Sequence, residues 1–238
     1  MSAKFTTLIG TVLAVLISGC AIPTKSISPE GYLEIFGSTS TLKKANLPAE
    51  WFVDGMERSS FVADHLSIER IDGSPALNIS TGSQNYVIAK RTRASLLAAP
   101  FLSWSWNVPS FQGNEYPIRL IIGFHGGNPK STSWGSQLLV YLGKITPPFD
   151  RAISIIWHRK GLLRGTIDYT TKLPKYIARG GIDNTDKWQT ENIDLAKLYK
   201  RLWPKDEYHK VLIMFAGFAA RQSATPTSAA FADFVLSK

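Results

Sequence analysis

The stretch FLSWSWNV, residues 101–108, alternates between two kinds of side chain with a period of two. One side of an extended chain receives large apolar groups and the other receives mainly small polar ones: Leu102, Trp104, Trp106 and Val108 against Phe101, Ser103, Ser105 and Asn107. Because successive side chains of a strand point to opposite faces, the pattern predicts a strand with one buried face. We therefore expect Trp104 and Trp106 in a hydrophobic core.

Short runs of strand length recur along the rest of the chain. They cover residues 66–71, 76–81, 86–90, 118–124, 137–142, 152–158, 165–169, 188–193, 211–215 and 230–236. Turn-forming clusters separate them, for example DGSP at 72–75, GGNP at 126–129 and RGG at 179–181. This succession predicts an all-β protein, either a sandwich or a barrel.

One segment departs from the strand pattern. In DLAKLYKRL, residues 194–202, three leucines recur at helical spacing, and Pro204 ends the pattern. Asp194 stands where a side chain would cap the first turn. We expect one short helix here, packed against an end of the β-structure.

The order of several segments resembles that of a known family. The segments are FLSWSWNV (101–108), YPIRLIIGF (116–124), AISIIWH (152–158), RGTI (164–167), WQTENIDLAKLYKRLWP (188–204), VLIMFAG (211–217) and AAFADFVL (229–236). In this order they resemble the bacterial domain of unknown function 3047 family over residues 33–238. The resemblance implies a jelly-roll-like β-sandwich, similar to carbohydrate-binding modules and exported to the cell envelope, but no particular activity.

The chain departs from that family at one place. Members often carry an acidic DTDN-like stretch after the strand that matches VLIMF, whereas AGFAAR, residues 216–221, stands here. The resemblance therefore carries over no metal or polar ligand that those acids would hold.

The N-terminus has the layout of a secretory signal peptide. Lys4 precedes an apolar run over residues 8–18, which is shorter than the ~20 residues of a membrane-spanning helix. LISGC, residues 16–20, contains the sole cysteine and resembles the bacterial lipoprotein signal, in which cleavage precedes a cysteine that then carries diacylglycerol. An ordinary cleaved signal with an incidental Cys20 is the alternative.

The lipoprotein interpretation sets the expected organisation of the chain. It comprises a signal peptide at residues 1–19, a lipidated Cys20 with a flexible tether to residue 32, and a single β-sandwich domain over 33–238. Ala21 replaces the aspartate typical of inner-membrane retention, which favours the outer membrane with the domain facing the periplasm. An exported chain with one thiol also avoids incorrect disulfides.

The chain is basic, with a formal net charge of +9. The Lys and Arg residues are scattered, and the longest cluster is KRTR at 90–93. An envelope location excludes nucleic acid from the expected partners. The charge then indicates either a solvated surface or contact with anionic lipid or an acidic glycan.

We find no sequence signature of catalysis, metal binding or a cofactor. The four histidines, at 65, 125, 158 and 209, lack zinc-site spacing. GFHGGN, residues 123–128, resembles a lipase oxyanion loop, but the G-x-S-x-G nucleophile motif is missing. The densest acidic group, Asp183, Asp186, Glu191 and Asp194, is typical of turns and caps, with a carboxylate pair or weak calcium binding as alternatives.

The candidate ligand-binding residues are aromatic, basic and histidine side chains that could contact a sugar. Sugars pack their C–H faces on indole rings, while polar neighbours bind the hydroxyls. On this basis the candidates are Trp134, Trp157, His158, Arg159 and His125.

The resulting interpretation is a lipid-anchored, non-catalytic envelope protein that binds a glycan or an anionic envelope component. One alternative is an enzyme acting on envelope polysaccharide, which requires catalytic groups converging in a deep groove. Another is a structural subunit that binds an envelope protein partner, which requires a large exposed apolar patch.

Overall fold

The computed structural model describes residues 24–37, 47–71, 74–128 and 145–238. Within these residues the strands are β1 (Tyr32–Phe36), β2 (Trp51–Asp54), β3 (Leu66–Ile71), β4 (Ser74–Ser80), β5 (Tyr86–Ser95), β6 (Phe101–Asn107), β7 (Ile118–His125), β8 (Arg151–His158), β9 (Ile167–Asp168), β10 (Lys175–Gly180), β11 (Trp188–Asp194), β12 (Leu212–Ala220) and β13 (Ser228–Ser237). Cys20, Trp134 and the predicted strand at 137–142 lie outside the described residues.

The strands form two sheets that pack face to face. The first has the order β11-β6-β13-β4-β3, and β1 also pairs with β13. The second has the order β2-β5-β12-β7-β8-β10-β9, in which the β8–β10 pair is parallel. The predicted all-β sandwich is therefore confirmed.

The core between the sheets is rich in aromatic residues. Trp104 and Trp106 are fully buried, as the alternation in β6 predicted, and their rings meet edge to face at 5.5 Å. Trp106 also contacts Trp157 of the opposite sheet, with ring centroids 5.2 Å apart. These contacts join the two sheets near one end.

The second sheet is buried on both faces. The residues of β7 from 118 to 124 are all buried, which explains why the sequence shows a continuous apolar run there instead of an alternation. On its outer face Phe52, Ile121, Phe149 and Phe215 belong to a second hydrophobic cluster. The outer face of the first sheet is more polar, since Ser105 and Asn192 lie there hydrogen-bonded to Thr190 and Ser103.

Helical structure is limited to short segments. α1 (Arg58–Ser60) continues into a π-helical turn at Phe61–His65, and α2 spans Leu195–Leu202. The predicted helix is thus confirmed, and its cap Asp194 accepts the backbone N–H of Lys197 at 2.8 Å. Single 3-10 turns occupy Gly161–Leu163, Ile182–Asn184 and Tyr208–Lys210. In the described part of the chain no helix has the length and apolar character needed to cross a bilayer.

The structure differs from the sequence prediction in the N-terminal region. Within the segment expected as a flexible tether, Lys25 is hydrogen-bonded to β5: its N–H donates to the Arg91 carbonyl at 3.1 Å, and its carbonyl accepts the Arg93 N–H at 2.9 Å. β1, β2 and β10 were not predicted either. β1 and β2 are short, and their backbone partners lie far away in the sequence. β10 pairs with the two-residue strand β9 close to it in the sequence and with the more distant β8.

Candidate functional site

Three loops meet at one end of the second sheet. β5 and β7 begin there and β12 ends there, because Ala220 pairs with both Tyr86 and Ile118. Backbone groups tie the loops together: the Gln222 N–H donates to Asn85 Oδ1 at 2.9 Å, and the Arg221 N–H donates to the Pro117 carbonyl at 3.0 Å. The loop residues are therefore held in a defined arrangement.

Two of these loops, the one before β7 and the one after β12, line a cavity of about 460 Å³, which we call the end pocket. Its lining is polar and consists of Gln112, Gly113, Asn114, Glu115, Pro117, Arg221, Gln222 and Ser223. A smaller cavity of about 180 Å³ adjoins it through the shared residue Arg221 and is lined by Asn85, Tyr86, Arg119, Ala219 and Ala220 as well. The two together are large enough for a small polar ligand or the end of a chain.

Glu115 is held between two cations at the base of the loops. Its Oε1 accepts from Lys175 Nζ at 2.7 Å, and its Oε2 accepts from Arg221 Nη2 at 2.8 Å. Lys175 is itself buried and also lies 3.4 Å from Asp168 Oδ2. Hydrogen bonds from Thr170, together with Lys175, lower the pKa of Asp168, so this carboxylate stays ionised.

Trp157 lies next to the pocket, but its side chain is not available to a ligand. The indole is fully buried and donates a hydrogen bond from Nε1 to the Gly181 carbonyl at 3.4 Å. The prediction of an exposed stacking ring at Trp157 is therefore corrected: strand β8 turns this residue towards the core, where it meets Trp106.

His158 and Arg159 lie beside the wall of the end pocket. The Arg159 N–H donates to the Asn114 carbonyl at 2.7 Å, and His158 forms a β-bridge with Glu115. His158 is half-buried and accepts the Lys160 N–H at Nδ1, whereas Arg159 is exposed. The structure thus brings these two candidates to the pocket, although neither is part of its lining.

His125 lies at the other end of β7, away from the end pocket. Its Nδ1 is 3.6 Å from Oδ2 of the buried Asp150, which also accepts the Gly126 N–H at 3.0 Å. Burial raises the pKa of Asp150, and the N–H of Gly126 and the charge of His125 oppose this. The structure therefore does not combine His125 with His158 and Arg159 in one site.

The acidic group noted in the sequence is dispersed into structural roles. Glu191 is buried and paired with both Arg164 and Arg179, Asp194 caps α2, and Asp186 Oδ2 accepts the Ser110 N–H at 3.3 Å. In the described ranges no group of three or more His, Cys, Asp or Glu side chains could hold a metal ion.

The residues of the end pocket were missed by sequence reasoning. The chain separates Glu115 and Arg221 of this pocket, and Asn85 of the adjoining cavity, by 30 residues or more, and none belongs to a recognisable motif. Only the turn signals around residues 112–114 mark one of these loops in the sequence.

Comparison with solved structures returns several β-sandwich proteins of carbohydrate metabolism. The family 30 carbohydrate-binding module of a Clostridium thermocellum cellulosomal cellulase has a TM-score of 0.44 at 13% identity, covering 87% of this chain and 98% of that one. The family 11 module of another C. thermocellum cellulosomal cellulase has a TM-score of 0.38 at 10% identity, covering 88% and 95%. Endoglucanase 3 of Trichoderma harzianum, from family GH12, has 0.38 at 8%, covering 73% and 82%. Similarity at these sequence identities and TM-scores concerns the fold alone.

Sequence comparison places the chain in a family. No curated protein matches it. The sequence profile of a family described as "Protein of unknown function (DUF3047)" matches residues 50–227, which is most of the chain. The match includes every strand of the second sheet, the strands of the first sheet other than β1 and β13, and the lining of the end pocket. The chain therefore belongs to the DUF3047 family.

Proposed function

We propose that this protein is a lipid-anchored cell-envelope protein whose β-sandwich binds an uncharged glycan in the end pocket without acting on it chemically. The observation that carries the proposal is the lining of that pocket. The amides of Gln112, Asn114 and Gln222 each offer both donors and acceptors. A sugar presents hydroxyl groups that also do both, so these side chains match its surface.

The charged part of the pocket favours an uncharged ligand over an anionic one. Glu115 faces the pocket with both oxygens already bound to cations, and Arg221 is partly neutralised by it. A phosphate or carboxylate entering here would meet the charge of Glu115. Hydroxyl groups can instead accept from the Arg221 guanidinium and donate to the Glu115 carboxylate.

The charged groups around Glu115 also favour glycan binding over glycan hydrolysis. A glycoside hydrolase needs one carboxyl group that keeps a proton while the other is ionised. Here Glu115 and Asp168 share the Lys175 ammonium, and the pKa of Asp168 is lowered. Asp168 is therefore held in its ionised form and is unsuited to the role of the proton-donating acid.

Binding of glycan and peptidoglycan fragments to the full chain, arrayed at two salt concentrations, tests the proposal. The double variant Asn114→Ala with Gln222→Ala should weaken saturable binding about tenfold or more, since each hydrogen bond contributes roughly 1 kcal/mol. The matched control is Asn192→Ala, which removes an amide from the outer face of the first sheet and should change nothing.

Each result of that array has a defined meaning. Binding that survives salt and falls only with the pocket variants supports the proposal. Binding that disappears with salt indicates an anionic partner held by net charge. Binding that is equal in the pocket variants, or absent, contradicts the proposal and favours a protein partner.

Anchoring through Cys20 has its own test. Cys20→Ser should abolish incorporation of labelled fatty acid and release the protein from the outer-membrane fraction into the periplasm. A variant that stays in the membrane fraction without acylation would contradict the lipoprotein assignment and its outer-membrane location.

A further inference from the structure

A short basic loop projects from the end of β8. We call residues 159–164, RKGLLR, the basic tip; its centre is the 3-10 turn Gly161–Leu163. The side chain of Leu162 is 98% exposed, the highest value among the large apolar residues that the structure describes. Scattered exposed leucines are ordinary on protein surfaces. Leu162 differs from these because it makes almost no contact with other side chains and lies at the exposed end of a loop that carries Arg and Lys residues.

The basic tip is held rigidly in this exposed position. The backbone N–H groups of Leu163 and Arg164 donate to the carbonyls of Lys160 and Gly161, at 3.3 and 3.1 Å. Arg164 then fastens the loop to the sandwich, because its Nε donates to the Ala178 carbonyl at 3.0 Å and its Nη2 to Glu191 Oε2 at 3.0 Å. Leu162 is therefore presented by a braced turn and cannot collapse onto the surface without breaking these bonds.

Cations surround the exposed leucine. Arg159, Lys160 and Arg164 of the tip are exposed, and Arg201 of α2 reaches the loop by donating from Nη1 to the Gly165 carbonyl at 3.3 Å. Of the neighbouring acids, Glu191 is buried between Arg164 and Arg179, and Asp183 is exposed in the adjoining 3-10 turn. Positive charge therefore predominates around Leu162.

We propose that the basic tip docks on an anionic lipid bilayer, with Leu162 entering the boundary between headgroups and acyl chains. An apolar side chain flanked by Lys and Arg is the arrangement that interfacial membrane contacts use. The leucine loses its water contact, and the long cationic side chains keep their charges at the headgroup level. This inference does not depend on glycan binding or on the lipidation of Cys20.

The position of the tip has a consequence for orientation. The Arg159 N–H is hydrogen-bonded to the Asn114 carbonyl in the wall of the end pocket. Docking through Leu162 would therefore bring that end of the sandwich close to the membrane surface.

The test measures how close positions 162 and 97 come to the bilayer when the full chain binds to vesicles. An environment-sensitive fluorophore is placed at Leu162→Cys or at the control Leu97→Cys, each in the full chain with Cys20→Ser so that a single thiol is labelled. Leu97 is 47% exposed and follows β5, at the end of the sheet opposite the basic tip. Both variants keep the N-terminal apolar run, so any contribution it makes to binding is the same for both. Vesicles contain brominated phosphatidylcholine, with or without phosphatidylglycerol.

The proposal predicts quenching at position 162 but not at position 97, and only in vesicles that contain phosphatidylglycerol. Adding Arg159→Gln and Lys160→Gln should raise the lipid concentration needed for half-maximal quenching about fivefold for each charge removed. In an unlabelled Cys20→Ser chain, Leu162→Ser should weaken phosphatidylglycerol-dependent partitioning about tenfold. Quenching that is absent at 162, equal at 97, or unchanged by the charge substitutions would overturn the proposal.

Discussion

Glu191 connects the basic tip to the body of the sandwich, and we expect its loss to destabilise the protein. The carboxylate is only 4% exposed and binds Arg164 at 3.0 Å and Arg179 through a second short contact. Glu191→Gln keeps the volume but leaves the Arg179 guanidinium, 15% exposed, without its counter-charge. Removing one partner of a buried ion pair costs about 3–5 kcal/mol. A glutamine carbonyl can still accept one hydrogen bond, so we expect about 2–3 kcal/mol.

The two arginines provide an internal comparison for this estimate. Arg164 is 55% exposed, so water solvates its charge, and Arg164→Ala should cost about 1 kcal/mol or less through its ion pair. Arg179→Ala should cost more, because it leaves the buried Glu191 carboxylate with only the exposed partner. The expected order of destabilisation is therefore Arg179→Ala above Arg164→Ala.

Urea and thermal unfolding of the same variants would measure these differences. For a chain of this size each kcal/mol lowers Tm by about 2–4 °C, so Glu191→Gln should melt roughly 4–12 °C below the parent. A loss of less than about 1 °C, or an Arg164→Ala variant as unstable as Arg179→Ala, would refute the claim that the buried carboxylate braces this region.

Three further results are expected. Trp106→Ala should cost about 3–5 kcal/mol in urea unfolding, since it opens a cavity beside Trp157 in the core; a loss under about 1 kcal/mol would mean that the core rearranges to fill the space. Burial raises the pKa of Asp150, so the native state binds its proton more tightly than the unfolded chain, and stability should fall as pH rises from about 3.8 through the raised value. Asp150→Asn should remove that decline and be at least as stable as the parent at neutral pH. If the free energies of unfolding of the variant and the parent change in parallel across this pH range, the reasoning is refuted. Asp194→Ala should cost about 1 kcal/mol by removing the N-cap of α2, and unchanged helicity and Tm would contradict that role.

Several features of the fold were predictable because they depend on local side-chain period. The alternation in residues 101–108 predicts which side chains of β6 face the core, and the leucine spacing after Asp194 predicts α2 with its cap. Each pattern depends only on which side of a single strand or helix faces the apolar core. They do not require knowledge of any distant residue.

The burial of Trp157 could not be predicted from the local sequence pattern. AISIIWH, residues 152–158, is apolar at nearly every position, and β8 is buried on both faces except at its ends. Periodicity therefore cannot assign its faces, and Trp157 could be given either a surface or a core role. The packing of Trp157 on Trp106, which lies on the other sheet, decides it.

The sequence by itself determined the all-β class, the family and the capped helix, because each depends on patterns within short segments and on the order of those segments along the chain. Only the tertiary structure decided that Asn114, Glu115 and Arg221 share a polar pocket, and that Leu162 stands alone at a braced cationic tip. Strand pairing brings distant loops to one end of the sandwich, and that pairing depends on backbone hydrogen bonds that no single segment encodes. The side chains proposed to contact a glycan or a membrane were therefore identified from the folded chain.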